Sequence, residues 1–152
     1  MSVATYKRGE SKAQFLDNLY KLNISVYGLV SKMPKKMQRI YGDKMINTAL
    51  DAMKIAEVGN GIYLRNTTTQ TSYEERIKCF EIVKGYVYSI MSIYNLSIDM
   101  MIENCHISKA DSVKLVNNSV KTSKLCNDTM DLITNLIKSD KNRYKNYKNK
   151  TD

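Results

Sequence analysis

The stretch Lys32-Met33-Pro34-Lys35-Lys36-Met37-Gln38-Arg39-Ile40-Tyr41-Gly42-Asp43-Lys44 separates two amphipathic patterns and carries the only proline of the 152-residue chain. Pro34 suits a first helical turn, where its missing N–H would have no partner in any case. The stretch therefore reads as the corner between two helices. It also holds five basic residues against the single acid Asp43, a net of +4. Cations at a helix start oppose the macrodipole, at about 0.3–1 kcal/mol each. Met33, at the N-cap in this reading, has no side-chain oxygen for the free N–H groups. A positive, uncapped helix start suits an anion.

Working outward from the corner, the preceding pattern predicts a first helix over residues 11–32. Its stripe is Phe15, Leu19, Leu22, Val26, Leu29 and Met33, spaced 4, 3, 4, 3, 4. That is heptad spacing, which calls for a partner helix at a small crossing angle. The following pattern predicts a second helix over residues 34–64, with Met37, Tyr41, Met45, Ala49, Ala52, Ala56 and Gly59 on one face. Its small residues allow a close approach. Residues 66–71 are a polar connection. Ser72 and Glu75 then have the spacing of a capping box and predict a third helix to about residue 104. Its core face is Ile77, Phe80, Val83, Val87, Ile90, Tyr94, Met101 and Cys105. In its middle, Ile82, Tyr86, Tyr88, Met91 and Ile93 widen the apolar face to most of the circumference. A bundle helix needs one stripe, so Tyr86, Tyr88, Ile93 and Tyr94 are expected at a homo-oligomer interface. Ser108 caps a fourth helix to about residue 139, through Val113, Val116, Val120, Cys126, Met130, Ile133 and Ile137. The expectation is an all-α protein, an antiparallel up-down-up-down four-helix bundle over 11–139. A flexible start (1–10) precedes it and a basic, disordered tail (140–152) follows.

The formal net charge of +9 sits in two blocks. The corner supplies +4, and residues 138–150 supply six basic residues against Asp140, or +5. The rest of the chain is balanced, which points to a polyanionic partner rather than to solubility alone. Lys32, Lys35, Lys36, Arg39 and Lys44 are the candidate phosphate contacts of the corner. Lys35 and Arg39, at i and i+4, share a face. In the tail, Lys141, Arg143, Lys145 and Lys148 interleave with Tyr144 and Tyr147, a pattern suited to single strands through phosphate contact and base stacking.

Catalysis is not expected. His106 is the only histidine, the three cysteines (Cys79, Cys105 and Cys126) share no metal-ligand spacing, and there is no phosphate loop or nucleophile motif. The Glu-x-x-His pattern of a di-metal bundle is absent. The reading is a non-enzyme with no metal, no cofactor and no small-molecule substrate. Nothing approaches the roughly 18 apolar residues of a membrane span. Met1–Gln14 has no apolar stretch, so a cytoplasmic protein with reduced thiols is expected.

Beyond these readings, the run from Met33 to Lys44, with its Pro-Lys…Arg…Gly-Asp pattern after an amphipathic first helix, resembles the corresponding corner of a family of small bacterial four-helix proteins. One branch comprises the accessory variability determinant (Avd) proteins of diversity-generating retroelements. The other is encoded in intervening sequences of 23S rRNA genes. The resemblance extends over nearly the whole chain in helix order and length. It departs late in the fourth helix, where Leu132–Ile137 stands in place of a frequent tryptophan, and in the longer tail. The Avd likeness implies a homo-pentameric, positively charged barrel of bundles without catalytic activity. Such a barrel would bind a reverse transcriptase and its template RNA and support mutagenic reverse transcription. The other branch implies a bundle of unknown role. A purely structural homo-oligomer is a third reading of the same surface.

Overall fold

A computed structural model describes residues 3–64 and 69–151, with side chains from Gln14 onward and to Lys150. Met1 and Ser2 of the expected loose start, residues 66–68 of the polar connection and Asp152 of the tail lie outside the described residues. Among the described residues the chain is all-helical: α1 (Val3–Val30), α2 (Lys35–Met37), a π turn (Gln38–Gly42), α3 (Asp43–Gly61), α4 (Gln70–Asn104) and α5 (Lys109–Thr151). The expected second helix is thus α2, the π turn and α3 in succession, and the long helices pack on one shared core. α4 lies against both α3 and α5, and α1 against both α3 and α5.

The stripe of the first helix is the core as expected. Phe15, Leu19, Leu22, Val26, Leu29 and Met33 are all buried. They meet Met45, Ala49, Ala52 and Ala56 of α3, whose small side chains let α1 and α4 each come close to α3. Asn23 fixes the α1–α3 seam, donating through Nδ2 to the Ala49 carbonyl at 3.1 Å. Gly59 is needed for the same closeness. A methyl group there would lie 2.9 Å from Cys79 Cβ and 3.2 Å from the Phe80 ring.

Helix boundaries differ from the expected ones at both ends. α1 begins at Val3, so residues 3–10 belong to the helix rather than preceding it. Gly9 is the least favourable residue of that run, by about 1 kcal/mol relative to Ala, while Ala4, Lys7, Arg8 and Glu10 favour helix. α4 begins at Gln70, two residues before the expected cap. Thr69 is the N-cap instead, its side chain accepting from the Ser72 N–H at 3.3 Å. Ser108 caps α5 as expected. It accepts from the Asp111 N–H at 3.1 Å and donates to the Asp111 carboxylate at 2.8 Å.

In the first half of α5 the expected core face is wrong. Val113, Val116 and Val120 are exposed, by 54%, 47% and 65%. Leu115 and Thr122 turn inward there, and the stripe continues through Cys126, Thr129, Ile133, Ile137 and Asp140. The physical reason is a polar clamp. Asn95 of α4 accepts from Ser119 at 2.7 Å and donates to Ser123 at 3.0 Å, which fixes the rotation of α5 with serines inward. The buried Cys126 thiol is pushed up to about 12 by desolvation, so it remains protonated and unreactive at neutral pH.

The tail read as disordered is the last part of α5, which runs to Thr151. Asp140 is its anchor. Its carboxylate accepts from Arg76 Nε at 2.7 Å, and both side chains are 2% exposed. Arg76 Nη1 donates in turn to the carbonyls of Gly59 at 3.0 Å and Ile62 at 2.9 Å, satisfying the end of α3. One guanidinium thus ties α3, α4 and α5 together, over the face of Phe80 at 4.9 Å from the ring centre.

Candidate nucleic-acid interface

The corner is built by a turn that closes on itself. Ser31 to Met33 leave α1 through backbone bonds, with the Lys32 N–H on Leu29 and the Met33 N–H on Val30. Pro34, not Met33, is the N-cap of α2, with φ −56° and ψ 146° and no side-chain cap. Met33 is instead buried in the core. Gln38 supplies what the missing cap does not. Its amide donates to the carbonyls of Val30 at 3.1 Å and Met33 at 3.0 Å, pinning the end of α1 to the start of the next helix. The sequence reading assigned Gln38 no role. A long amide side chain five residues after Met33 was the available signal.

The π turn completes the corner, with the Asp43 N–H bonding the Gln38 carbonyl five residues back. It brings Gly42 against α1. A methyl group on Gly42 would lie 2.7 Å from Val30 Cγ1, so glycine there serves contact rather than flexibility.

On this scaffold Lys32, Lys35, Lys36, Arg39 and Lys44 are all exposed. None of the five forms an ion pair among the described residues. The five cations thus follow one another through the turn, α2, the π turn and the start of α3, each exposed and outside any ion pair among the described residues. Lys32 also reaches the seam between α1 and α5, where Lys114 and Lys121 lie.

The second basic block is arranged differently. Tyr144 stacks on Tyr73 of α4 with ring centres 5.5 Å apart at 20°, and Tyr147 lies 5.6 Å from the same ring at 40°. The Tyr144 hydroxyl donates to Glu74 at 2.7 Å, and Lys141 pairs with Glu81 at 2.8 Å. Lys148 sits over the Tyr144 ring at 4.5 Å. The bond from Tyr144 holds the Glu74 carboxyl below its usual range, and the same bond pushes the Tyr144 phenol up. These tyrosines, expected as stacking platforms for bases, are engaged in docking the end of α5 onto the start of α4. Lys145 remains exposed, and Arg143 is half-buried.

The residues expected at an oligomer interface are scattered in exposure. Tyr94 is buried, with its hydroxyl bonded to Thr122 and its phenol pushed up by desolvation. Tyr86 and Ile93 are half-buried against the core, and Tyr88 is 61% exposed. The broad apolar face of α4 is used by its two neighbours, α3 and α5. Besides Tyr88 and Leu96 of α4, apolar groups also reach the surface on α1, α3 and α5. Tyr20, Ile24 and Tyr27 of α1 and Ile46 and Leu50 of α3 line a groove of about 390 Å³, and Val113, Val116 and Val120 form a ridge on α5.

His106 is exposed in the turn after α4. Among the described residues no three of His, Cys, Asp and Glu gather as metal ligands, and no helix is long and apolar enough to cross a membrane. Compared with family models, with curated proteins and with solved structures, the chain finds no match.

Proposed function

We propose that this protein is a non-enzymatic, Avd-like accessory protein that binds RNA and a reverse transcriptase and supports mutagenic reverse transcription. One observation carries the reading: five exposed, unpaired cations on a corner held by Gln38 and the π turn. Free charges on a fixed turn meet phosphates without first breaking internal ion pairs. The tail adds Lys145 and Arg143, while its tyrosines act through the docking of α5.

The bundle in this reading is antiparallel. Residues at the start of α4 contact the end of α5, as in Arg76–Asp140, and the middle of α4 contacts the first half of α5, as in Asn95–Ser119. The bundle assembles as a homo-pentamer. Its subunit contacts are the α1–α3 groove and the α5 valine ridge, with Tyr88 as the exposed part of the expected α4 interface. A groove and a ridge on different helices favour a head-to-tail contact, which closes into a ring when the rotation allows. In light scattering coupled to size exclusion, the full chain elutes at about five times its 17.5 kDa mass. A monomer at micromolar concentration would remove the ring.

The charge reversal Lys35→Glu, Lys36→Glu, Arg39→Glu tests RNA binding. Three single-strand phosphate contacts account for a salt slope of about 2, so the variant should lose that much slope and at least about tenfold in affinity at low salt. An unchanged slope would show that RNA does not bind at the corner. A purely structural oligomer is the second reading, favoured by the same groove and ridge. It predicts an intact assembly and no RNA binding by the parent protein.

A further inference from the structure

The seam between α1 and α5 carries two clefts that meet at Lys32 and Asn118, which line both. The larger, of about 420 Å³, has an apolar floor of Met101, Ile107 and Leu115. The smaller, of about 190 Å³, is the more polar of the two. Ser25, Lys121, Thr122 and Tyr94 line it, beside Leu29. Together they reach the size of small-molecule sites, roughly 300–1,000 Å³.

Charge is distributed unevenly across the seam. Asp111, the one acid in the lining, is already engaged by Ser108 and by Lys114, the latter at 3.6 Å. Lys32 and Lys121 have no ion-pair partner among the described residues. Two free ammonium groups thus flank the polar lobe, and an apolar lobe lies directly beside it. Gly28 opens the polar lobe further, since a Cβ there would meet no atom within 4 Å.

We propose that this seam is a binding site for a small phosphorylated ligand with an apolar body, the chemistry of a mononucleotide. The phosphate lies between Lys32 and Lys121, with Ser25 and Asn118 as hydrogen-bond partners. The base or an equivalent flat group covers Met101, Ile107 and Leu115. The ligand is either free or one nucleotide of a strand. The site shares Lys32 with the corner surface but uses none of Lys35, Lys36 or Arg39, so the two can be tested separately.

The test titrates the full-length protein with adenosine 5′-monophosphate at low salt, followed by amide NMR and calorimetry. Inorganic phosphate, adenosine and a short oligoadenylate are separate arms. The monophosphate should shift the amides of Lys32, Asn118 and Lys121. Phosphate or adenosine alone should bind at least about tenfold more weakly, because each engages one lobe. Gly28→Leu fills the open space beside the cleft with a better helix former, so it should keep the fold while blocking the site. It and Lys121→Ala should each weaken the monophosphate about tenfold or more, with thermal unfolding no lower than the parent's. The reversal of Lys35, Lys36 and Arg39 should leave monophosphate binding in place. A flat monophosphate titration, or binding that neither Gly28→Leu nor Lys121→Ala changes, overturns the proposal. Oligoadenylate binding that Gly28→Leu leaves intact while the monophosphate is silent also overturns it, and leaves the corner reading standing. Oligoadenylate and monophosphate both lost in Gly28→Leu would support the site and identify the strand as a source of its ligand.

Discussion

Asp140→Ala should destabilise the protein by about 3–5 kcal/mol, the cost of leaving the buried Arg76 guanidinium without its counter-charge. For a chain of this size that is a fall in melting temperature of roughly 6–20 °C. Arg76→Ala should cost a similar amount by a different route, since it also strips the donor from the Gly59 and Ile62 carbonyls at the end of α3. Replacing both, as Arg76→Met with Asp140→Leu, should recover a large part of the loss, because two apolar groups do not need each other's charge. Thermal melts of the parent, Arg76→Met, Asp140→Leu and the double replacement form a double-mutant cycle. Additive losses would mean that the two residues do not act as a pair. In Asp140→Ala the end of α5 should also be cut faster by trypsin at Lys141, Arg143 and Lys145, since the clasp that begins its docking on α4 is gone.

Phe80→Ala should cost about 3–5 kcal/mol, the usual range for removing a fully buried ring. Phe80 is 0% exposed, meets Phe15 edge-on at 5.6 Å and 87°, and lies under Arg76. Its loss leaves a cavity bordered by a charge rather than by hydrocarbon alone. Phe80→Leu should lose markedly less, because it keeps most of the volume. Denaturant unfolding of both variants measures the difference. Equal losses would show that the ring's position under Arg76 matters more than the space it fills.

How far the fold was legible depended on who supplied the pattern. In α1 the stripe from Phe15 to Leu29 is apolar and regularly spaced, with Asn18 the one buried polar residue beside it, so a single sequence specified the face. In α5 the valines at 113, 116 and 120 imitate such a stripe, yet the inward positions nearby include Thr122 and the half-buried Ser119. Those polar groups face inward because α4 satisfies them, Ser119 through Asn95 and Thr122 through Tyr94. No local pattern contains that information. The same holds for Arg76 and Asp140, 64 residues apart. Asp140 does continue the stripe of Ile133 and Ile137, and Arg76 precedes Ile77 and Phe80 by the spacing of the core face. A charge in a stripe was the visible half of the signal, and the partner was the hidden half. The corner was legible as a corner, because proline and charge both act locally. Its closure by Gln38 and the position of Pro34 at the cap depend on which carbonyls the turn leaves open. The tail was misread because composition alone favours a solvated lysine run, while its tyrosines and Asp140 each find a mate on α4.

The π turn has a bearing on how such a chain can change through time. It holds one residue more than an α-helical turn of the same span, and each residue rotates a helix by about 100°. Loss of a single codon within residues 38–42 would therefore keep the helix continuous while swinging everything before it around the axis. The basic corner would then look toward a different neighbour, and Gly42 would leave its seat against Val30. One codon, rather than any of the lysines, sets the compass bearing of this charge.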